Sequence, residues 1–364
     1  MPDVTLPDTT VAAFHTEDGR DPPRTLVLAD DQTRAADALR AIRDGADLLW
    51  TGDWHNGRQL LTALRRRVKR PRTDGTAVTD LAAIWRAERA HTHAVADVLG
   101  RVLVRIEPGG RVALRRVPPH EDAVRHALGA VEVPTLVALP TLIGMLGAWG
   151  WHEAGVEVPG LDGRIHPHFG VFPPTRNAYV RLLDHLDFRG RTVLDTGCGT
   201  GVLGLVALQR GASRVVAVDV DPRAVACARD NAHRLGLQAR FEACEADLFP
   251  DAARVDLALF NPPWLPEVPR TRLDRAVYDS GDLVRRWLAG LPLAENGRAG
   301  LLVSDLAVRL GLRPEGQLQA WIAEAGRTIE AVHDTAATHR KTHDRRDPLH
   351  EARAAERVQL WVLS

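Results

Sequence analysis

An asparagine, two prolines and a tryptophan, Asn261-Pro262-Pro263-Trp264, directly follow the apolar run Val255-Asp256-Leu257-Ala258-Leu259-Phe260. The run reads as a buried strand, so the tetrapeptide leaves the strand's end and enters a loop. Pro262 and Pro263 lack a backbone N–H and fix φ, which stiffens the loop and leaves its carbonyls pointing outward. The Asn261 carboxamide oxygen, the Pro262 carbonyl and the flat Trp264 indole then make a receptor for a planar nitrogen that bears hydrogens. An amide, a nucleobase exocyclic amine and a guanidinium all fit, because the oxygens accept N–H bonds and the indole stacks on the plane. Pro263 belongs to the same receptor, and Glu267, Asp274, Asp279 and Asp282 lie just beyond it, where they would hold a guanidinium cation. The same string also occurs as an ordinary turn, so its meaning depends on what lies upstream.

Upstream, Thr192-Val193-Leu194 is a short β-type run that ends at Asp195. The loop Thr196-Gly197-Cys198-Gly199-Thr200-Gly201 follows, and residues 202–208 then read as a helix. Strand, glycine loop and helix form a nucleotide-binding opening in which glycines allow tight turning and close approach of a ligand. A second strand, Arg214 to Val218, ends at Asp219 with Val220 beside it. An acid there is placed to take both hydroxyls of a ribose. A dinucleotide fingerprint would need its third glycine at position 202, which is Val, and would set a pyrophosphate beside Asp195. S-adenosylmethionine has no phosphate and carries a cationic sulfonium and an ammonium, so an acid closing the first strand suits it. Asp247 can accept from the adenine amine while Leu248 covers the ring. Asp195, Asp219, Asp247 and Asn261 then share one sheet edge, the edge at which doubly wound sheets bind ligands.

On these residues, the region from about Gly170 to Ser364 resembles a class I S-adenosylmethionine-dependent methyltransferase. The resemblance is to the branch with Asn-Pro-Pro and an aromatic as its fourth motif. That branch holds glutamine-amide, adenine and ribosomal guanine methyltransferases. Gly170-Val171-Phe172 and the stretch from Val193 to Gly204 are similar to the guanine enzymes, and Trp264-Leu265-Pro266 to the glutamine enzymes. Phe172-Pro173-Pro174-Thr175-Arg176-Asn177 keeps the proline and threonine of a motif in the glutamine enzymes but lacks its acid. The resemblance implies an α/β fold with a doubly wound, mostly parallel seven-stranded sheet whose last strand is antiparallel. It implies S-adenosylmethionine held by Asp195, Thr196, Gly197, Cys198, Gly199, Gly201, Asp219, Val220, Asp247, Leu248 and Asn261. Asn261 and Pro262 would be catalytic, with Pro263, Trp264 and Glu267 on the substrate and no metal. The acceptor would be a glutamine amide or arginine guanidino nitrogen of a protein or small metabolite. Two other classes stay open: a methyltransferase for RNA or DNA base amines, and a non-catalytic binding module on the same fold.

Composition narrows this frame. The chain of 364 residues is long enough for two cores, and 45% apolar residues is ordinary for a globular α/β protein. We expect no membrane span and a cytoplasmic location, since no apolar stretch is long enough and Cys198, Cys227 and Cys244 have no disulfide or metal spacing. Lys plus Arg and Asp plus Glu are 47 each, a balance that disfavours a nucleic-acid partner without excluding one. Arg65, Arg66, Arg67, Lys69, Arg70 and Arg72 form a basic run, read as a solvated helix end rather than a phosphate patch.

Residues 1–130 are expected to form an α+β accessory domain, 131–169 a connecting helical segment and 170–364 the methyltransferase domain. In the first, strands are expected at Thr25 to Leu28 and Leu48 to Trp50, and helices from Gln32, from an Asn56 cap and through Leu81 to Leu99. Val102 to Ile106 and Val112 to Arg115 read as a hairpin around Pro108-Gly109-Gly110. In the catalytic half, Asp221-Pro222 starts a helix that Gly236 stops, and strands near residues 300–303 and 358–362 complete the sheet. His166 and His168 could line a substrate entrance. His333, His339, His343 and His350 are placed on a surface loop, because the neighbouring Arg340, Lys341, Arg345 and Arg346 oppose a metal ion.

Overall fold

The computed structural model describes residues 1–69, 80–250, 254–338 and 340–364. The chain divides into two compact units, Met1–Thr79 with Ala83–Gly150 and Asp80–Ala82 with Trp151–Ser364.

The first unit contains β1 (Asp3–Thr5), β2 (Val11–Phe14), β3 (Leu26–Ala29), α1 (Ala35–Arg43), β4 (Asp47–Trp50), α2 (Trp54–Arg67) and α3 (Leu81–Leu99). It continues with β5 (Val102–Ile106), α4 (Glu121–Leu128), β6 (Thr135–Ala138) and the start of α5 (Leu139–Ala154). Its six-stranded sheet runs β1-β2-β6-β5-β4-β3, with β3, β4 and β5 parallel and β6 antiparallel to β5. The expected hairpin does not form. Both edges of β5 are taken by β4 and β6, which leaves Val112 a single bridge to Ile106. The apolar stretch after Val133, expected to be a helical connector, supplies the inner strand β6 before it turns into α5. Asp53 rather than Asn56 caps α2, its carboxylate accepting the His55 N–H at 2.9 Å. Arg65, Arg66 and Arg67 are exposed in the last turn of α2, and Arg67 donates to the Ala63 carbonyl at 3.1 Å. Cations there meet the negative end of the helix dipole. Arg70 and Arg72 lie outside the described residues.

The second unit opens on the short pair β7 (Val156–Glu157) and β8 (Arg164–Ile165). Then come β9 (Thr192–Thr196), α6 (Val202–Gln209), β10 (Arg214–Asp219), α7 (Pro222–Arg234), β11 (Phe241–Glu245) and β12 (Val255–Phe260). A second short pair, β13 (Leu265–Pro266) and β14 (Tyr278–Asp279), precedes α8 (Leu283–Gly290) and β15 (Leu293–Ser304). The chain ends with α9 (Leu306–Arg309), α10 (Gln317–Glu324), β16 (Ile329–Ala336), α11 (His350–Ala354) and β17 (Arg357–Leu363). The main sheet runs β11-β10-β9-β12-β15-β17-β16, and β17 alone opposes both neighbours. A parallel sheet is covered on both faces, so its strands read as unbroken apolar runs. Val193, Leu194, Val215, Ala217, Val218, Leu257, Ala258 and Leu259 accordingly have little or no exposure. The helix α6 is apolar all round, and residues 202–208 are all buried. Asp221 caps α7 by accepting the Arg223 N–H at 2.9 Å, with Pro222 in the first turn.

His333 is not in a loop. It lies on the edge strand β16, its ring stacked on that of His185 at a centroid distance of 3.7 Å. His350 opens α11, His343 is exposed, and His339 is outside the described residues.

Trp287 on α8 is fully buried, packs on Phe260 at 5.2 Å between centroids and donates its indole N–H to Thr196 Oγ1 at 3.1 Å. It thus braces the ends of β9 and β12 together. Trp287→Ala is expected to lower unfolding free energy by about 3–5 kcal/mol, the usual cost of emptying an aromatic core site. Urea unfolding of the purified variant measures this, and a loss below about 1 kcal/mol would mean that α8 does not brace the strand ends.

Candidate active site

The parallel strands β9, β10 and β12 end side by side, and a cavity of about 220 Å³ opens at their carboxyl ends. Asp195, Thr196, Gly197, Cys198, Gly199, Asp219, Val220, Asp247, Leu248, Asn261 and Pro263 all line it. Gly197 and Gly199 sit at φ +61° and +53°, the left-handed region that side chains disfavour, so the loop needs glycine at both positions. Gly199 then turns its N–H onto Asp219 Oδ2 at 3.0 Å, while Asp219 Oδ1 takes the Asp221 N–H at 3.0 Å.

Asp195 is 1% exposed. Its Oδ2 accepts the Gly204 N–H at 2.9 Å, and its Oδ1 has no partner among the described residues. Burial pushes its carboxyl up to about 7; the Gly204 bond pulls it down and the charge of Asp219 adds to the rise. Burial likewise raises Asp219 and holds the Cys198 thiol protonated. Val220 is an apolar side chain left 52% exposed inside the cavity, and Leu248 holds φ +70° to turn into it. Asp247 lines the cavity with its Oδ2 paired to Arg286 at 2.5 Å.

Asn261 follows Phe260, whose sheet partner is Thr196, so the carboxamide arrives one residue past the end of β9. Trp264 corrects the sequence reading. The indole expected to stack on a ligand lies outside the cavity lining and packs against the buried core of the sheet. Its N–H donates to Asn261 Oδ1 at 3.0 Å and to the Leu302 carbonyl at 3.2 Å. Trp264 therefore orients Asn261. Tyr179 lines the same cavity and is buried; burial, first, and the Asp195 charge raise its hydroxyl above its ordinary range, and the nearby Asn261 carboxamide opposes the rise.

Pro262 is buried outside the cavity lining, Gly201 starts α6 at φ +79° against Ala228 and Phe241, and Glu267 turns its carboxylate onto the Val268 N–H at 3.1 Å. The acids expected to hold a guanidinium are engaged elsewhere: Asp279 accepts the N–H groups of Gly281 and Leu283, and Asp274 that of Arg270. The charged side chains that this segment does present are Arg272 and Arg275. His166 and His168 do not line the cavity; His168 lies 2.9 Å from Asp230 and the His166 N–H donates to Asn231 on α7. Tyr179, Arg272 and Arg275 escaped the sequence reading because no strand end marks them.

The family model for ribosomal protein L11 methyltransferase (PrmA) matches residues 170–261. A Methanocaldococcus jannaschii protein, provisionally named a protein N5-glutamine methyltransferase, is 30% identical over 161 residues, 42% of this chain and 80% of that protein. The chain belongs to the S-adenosylmethionine-dependent methyltransferases. Ribosomal protein L11 methyltransferase of Salmonella arizonae is 42% identical to this methyltransferase over 88 residues, 24% of the present chain and 30% of that enzyme. The chain thus spans less than a third of the length of that relative. A crystal structure of a ribosomal protein L11 methylase from Lactobacillus delbrueckii subsp. bulgaricus aligns with TM-score 0.37 and 17% identity, over 57% of this chain and 82% of that one.

The methyltransferase's own residues fit the cofactor. The unpartnered Asp195 Oδ1 would take the ammonium, Asp219 the ribose hydroxyls, and Val220 with Leu248 the adenine faces. An unfolded aspartate titrates near ~3.9, so the folded chain holds the Asp195 proton more tightly. The ligand-free protein therefore loses stability as pH rises from about 4 through about 7. Asp195→Asn removes that loss. Its melting temperature should exceed that of the parent at pH 8 and match it near pH 4. The same variant should bind S-adenosylmethionine at least about tenfold more weakly, for want of a charge-assisted bond. Calorimetric titration with unchanged affinity would remove Asp195 from the cofactor site.

Proposed function

We propose that this enzyme methylates a planar nitrogen, and that its acceptor is the side-chain amide of glutamine in a protein. The observation that carries this reading is the Asn261 carboxamide, held at the cavity by the Trp264 N–H with one oxygen lone pair still open. An amide N–H of the acceptor donates to that lone pair. The bond draws the nitrogen out of conjugation and aims its lone pair into the cavity. It strengthens as positive charge develops on nitrogen, which favours the transition state over the ground state.

S-adenosylmethionine supplies a methyl on sulfonium: the C–S bond breaks, a C–N bond forms, the sulfur leaves as a thioether, and the nitrogen's proton passes to solvent. No lysine or histidine lines the cavity among the described residues, in keeping with a proton lost only after transfer has made it acidic. The provisional name of the archaeal relative supports the glutamine amide. The guanidino alternative loses its support, because arginines rather than acids face the cavity from the loop after Asn261.

Asn261→Ala should lower kcat about a hundredfold or more with cofactor affinity retained. Trp264→Phe keeps the packing and deletes the N–H, so it too should act on kcat rather than on acceptor KM. Steady-state transfer of a labelled methyl to protein extract tests both. Turnover near the parent value in Asn261→Ala would remove the carboxamide from the mechanism.

A further inference from the structure

We propose that Arg272 and Arg275 form an anion subsite that selects a carboxylate on the methyl acceptor, an acidic residue close to the modified glutamine. The proposal rests on the amide reading above. A one-turn 3-10 helix, Leu273–Ala276, lies between β13 and β14, with Arg272 at its N-cap. In a 3-10 turn residues three apart eclipse one another, so Arg272 and Arg275 project on the same side. Both line the cavity, and neither guanidinium has a hydrogen bond or ion pair among the described residues.

Neither acid of this turn forms an ion pair with Arg272 or Arg275 among the described residues. Asp279 is bonded to the backbone of Gly281 and Leu283 at 3.0 and 3.2 Å, and Asp274 to that of Arg270 at 3.2 Å. Asp247, the exposed acid of the cavity, is paired with Arg286. The loop that follows Asn261 therefore brings two exposed, unpaired guanidinium groups to the rim of a cavity that must also take a sulfonium. Cations on that rim disfavour a cationic acceptor and favour an anionic one. An acceptor carrying a carboxylate restores the balance, and a guanidinium fork matches a carboxylate in a bidentate geometry that a point charge lacks. The cofactor also has a carboxylate, so the test must separate the two sources.

Short peptides with a single central glutamine, flanked by glutamates, serines or lysines, provide the probe. With the parent enzyme, kcat/KM for the glutamate peptide should exceed that for the serine peptide by about tenfold, in the range of a charge-assisted pair. In Arg272→Ala/Arg275→Ala the ratio should fall to near one. In Arg272→Glu/Arg275→Glu the lysine peptide should lead. The affinity for S-adenosylhomocysteine, measured by calorimetry, should stay the same throughout. A second readout needs no turnover: a glutamine-free glutamate peptide should bind the product-loaded parent and not the double-alanine variant.

Equal transfer to all three peptides, with glutamine methylated, overturns the subsite and leaves the amide reading intact. Glutamate-peptide binding without transfer to any glutamine peptide sinks the amide reading and keeps the anion site. Loss of S-adenosylhomocysteine affinity in the double-alanine variant, with the peptide ratio unchanged, assigns the arginines to the cofactor and overturns the proposal. Methylation of RNA in place of peptides, with affinity falling steeply with salt, overturns it as well.

Discussion

One buried carboxylate organises this molecule. Asp195, the last residue but one of β9, is buried, with one oxygen tied to the Gly204 N–H and the other without a partner among the described residues. A buried charge left half satisfied costs folding free energy, and a protein keeps it only where the missing partner arrives from outside. The surroundings are shaped to that end. Gly204 has no Cβ because one would meet Val215 Cγ1 at 2.7 Å, and that absence lets α6 press its first turn against the strand and deliver the N–H. An ammonium group of the bound cofactor would complete the site, and binding would then relieve a folding penalty.

The remaining chemistry follows from strand order. Because β10, β9 and β12 are parallel neighbours, residues at or beside their carboxyl ends are brought to one edge: Asp219, Asp195 and Asn261, contributed by three separated segments. Acids there would suit a cationic, hydroxyl-rich cofactor. The loop beyond Asn261 carries Arg272 and Arg275, which line the same cavity. Trp287 holds the ends of β9 and β12 in register by packing on Phe260 while bonding Thr196.

The parallel half of the sheet was legible in the sequence because its strands are buried on both faces and each ends in a polar residue before a glycine or proline loop. Asp195, Asp219 and Asn261 are visible for that reason, and the structure brings them to one cavity. The other misreadings have physical causes. The Trp264 indole has an apolar face and an N–H, and sequence alone cannot say whether the face meets ligand or core; here the core takes the face and Asn261 the N–H. The edge strand β16 alternates half-buried and exposed residues, and its histidine suggested a loop. The strand β6 was hidden in a long apolar run, where strand and helix look alike. Asp274 and Asp279 lie close enough in sequence to Asn261 to suit either a ligand or a solvated loop, and in the structure each accepts backbone N–H groups of its own turn, while Arg272 and Arg275 of that segment line the cavity.

On the proposed reading, the nitrogen methylated at Asn261 belongs to a glutamine amide. The most direct measurement is to incubate the enzyme with S-adenosylmethionine carrying a deuterated methyl group and a protein and RNA extract, then to locate the label by mass spectrometry of the digested fractions. Label is expected on the side-chain amide nitrogen of glutamine, in peptides with an acidic residue nearby. Label confined to nucleobases, or to lysine or arginine side chains, would contradict it.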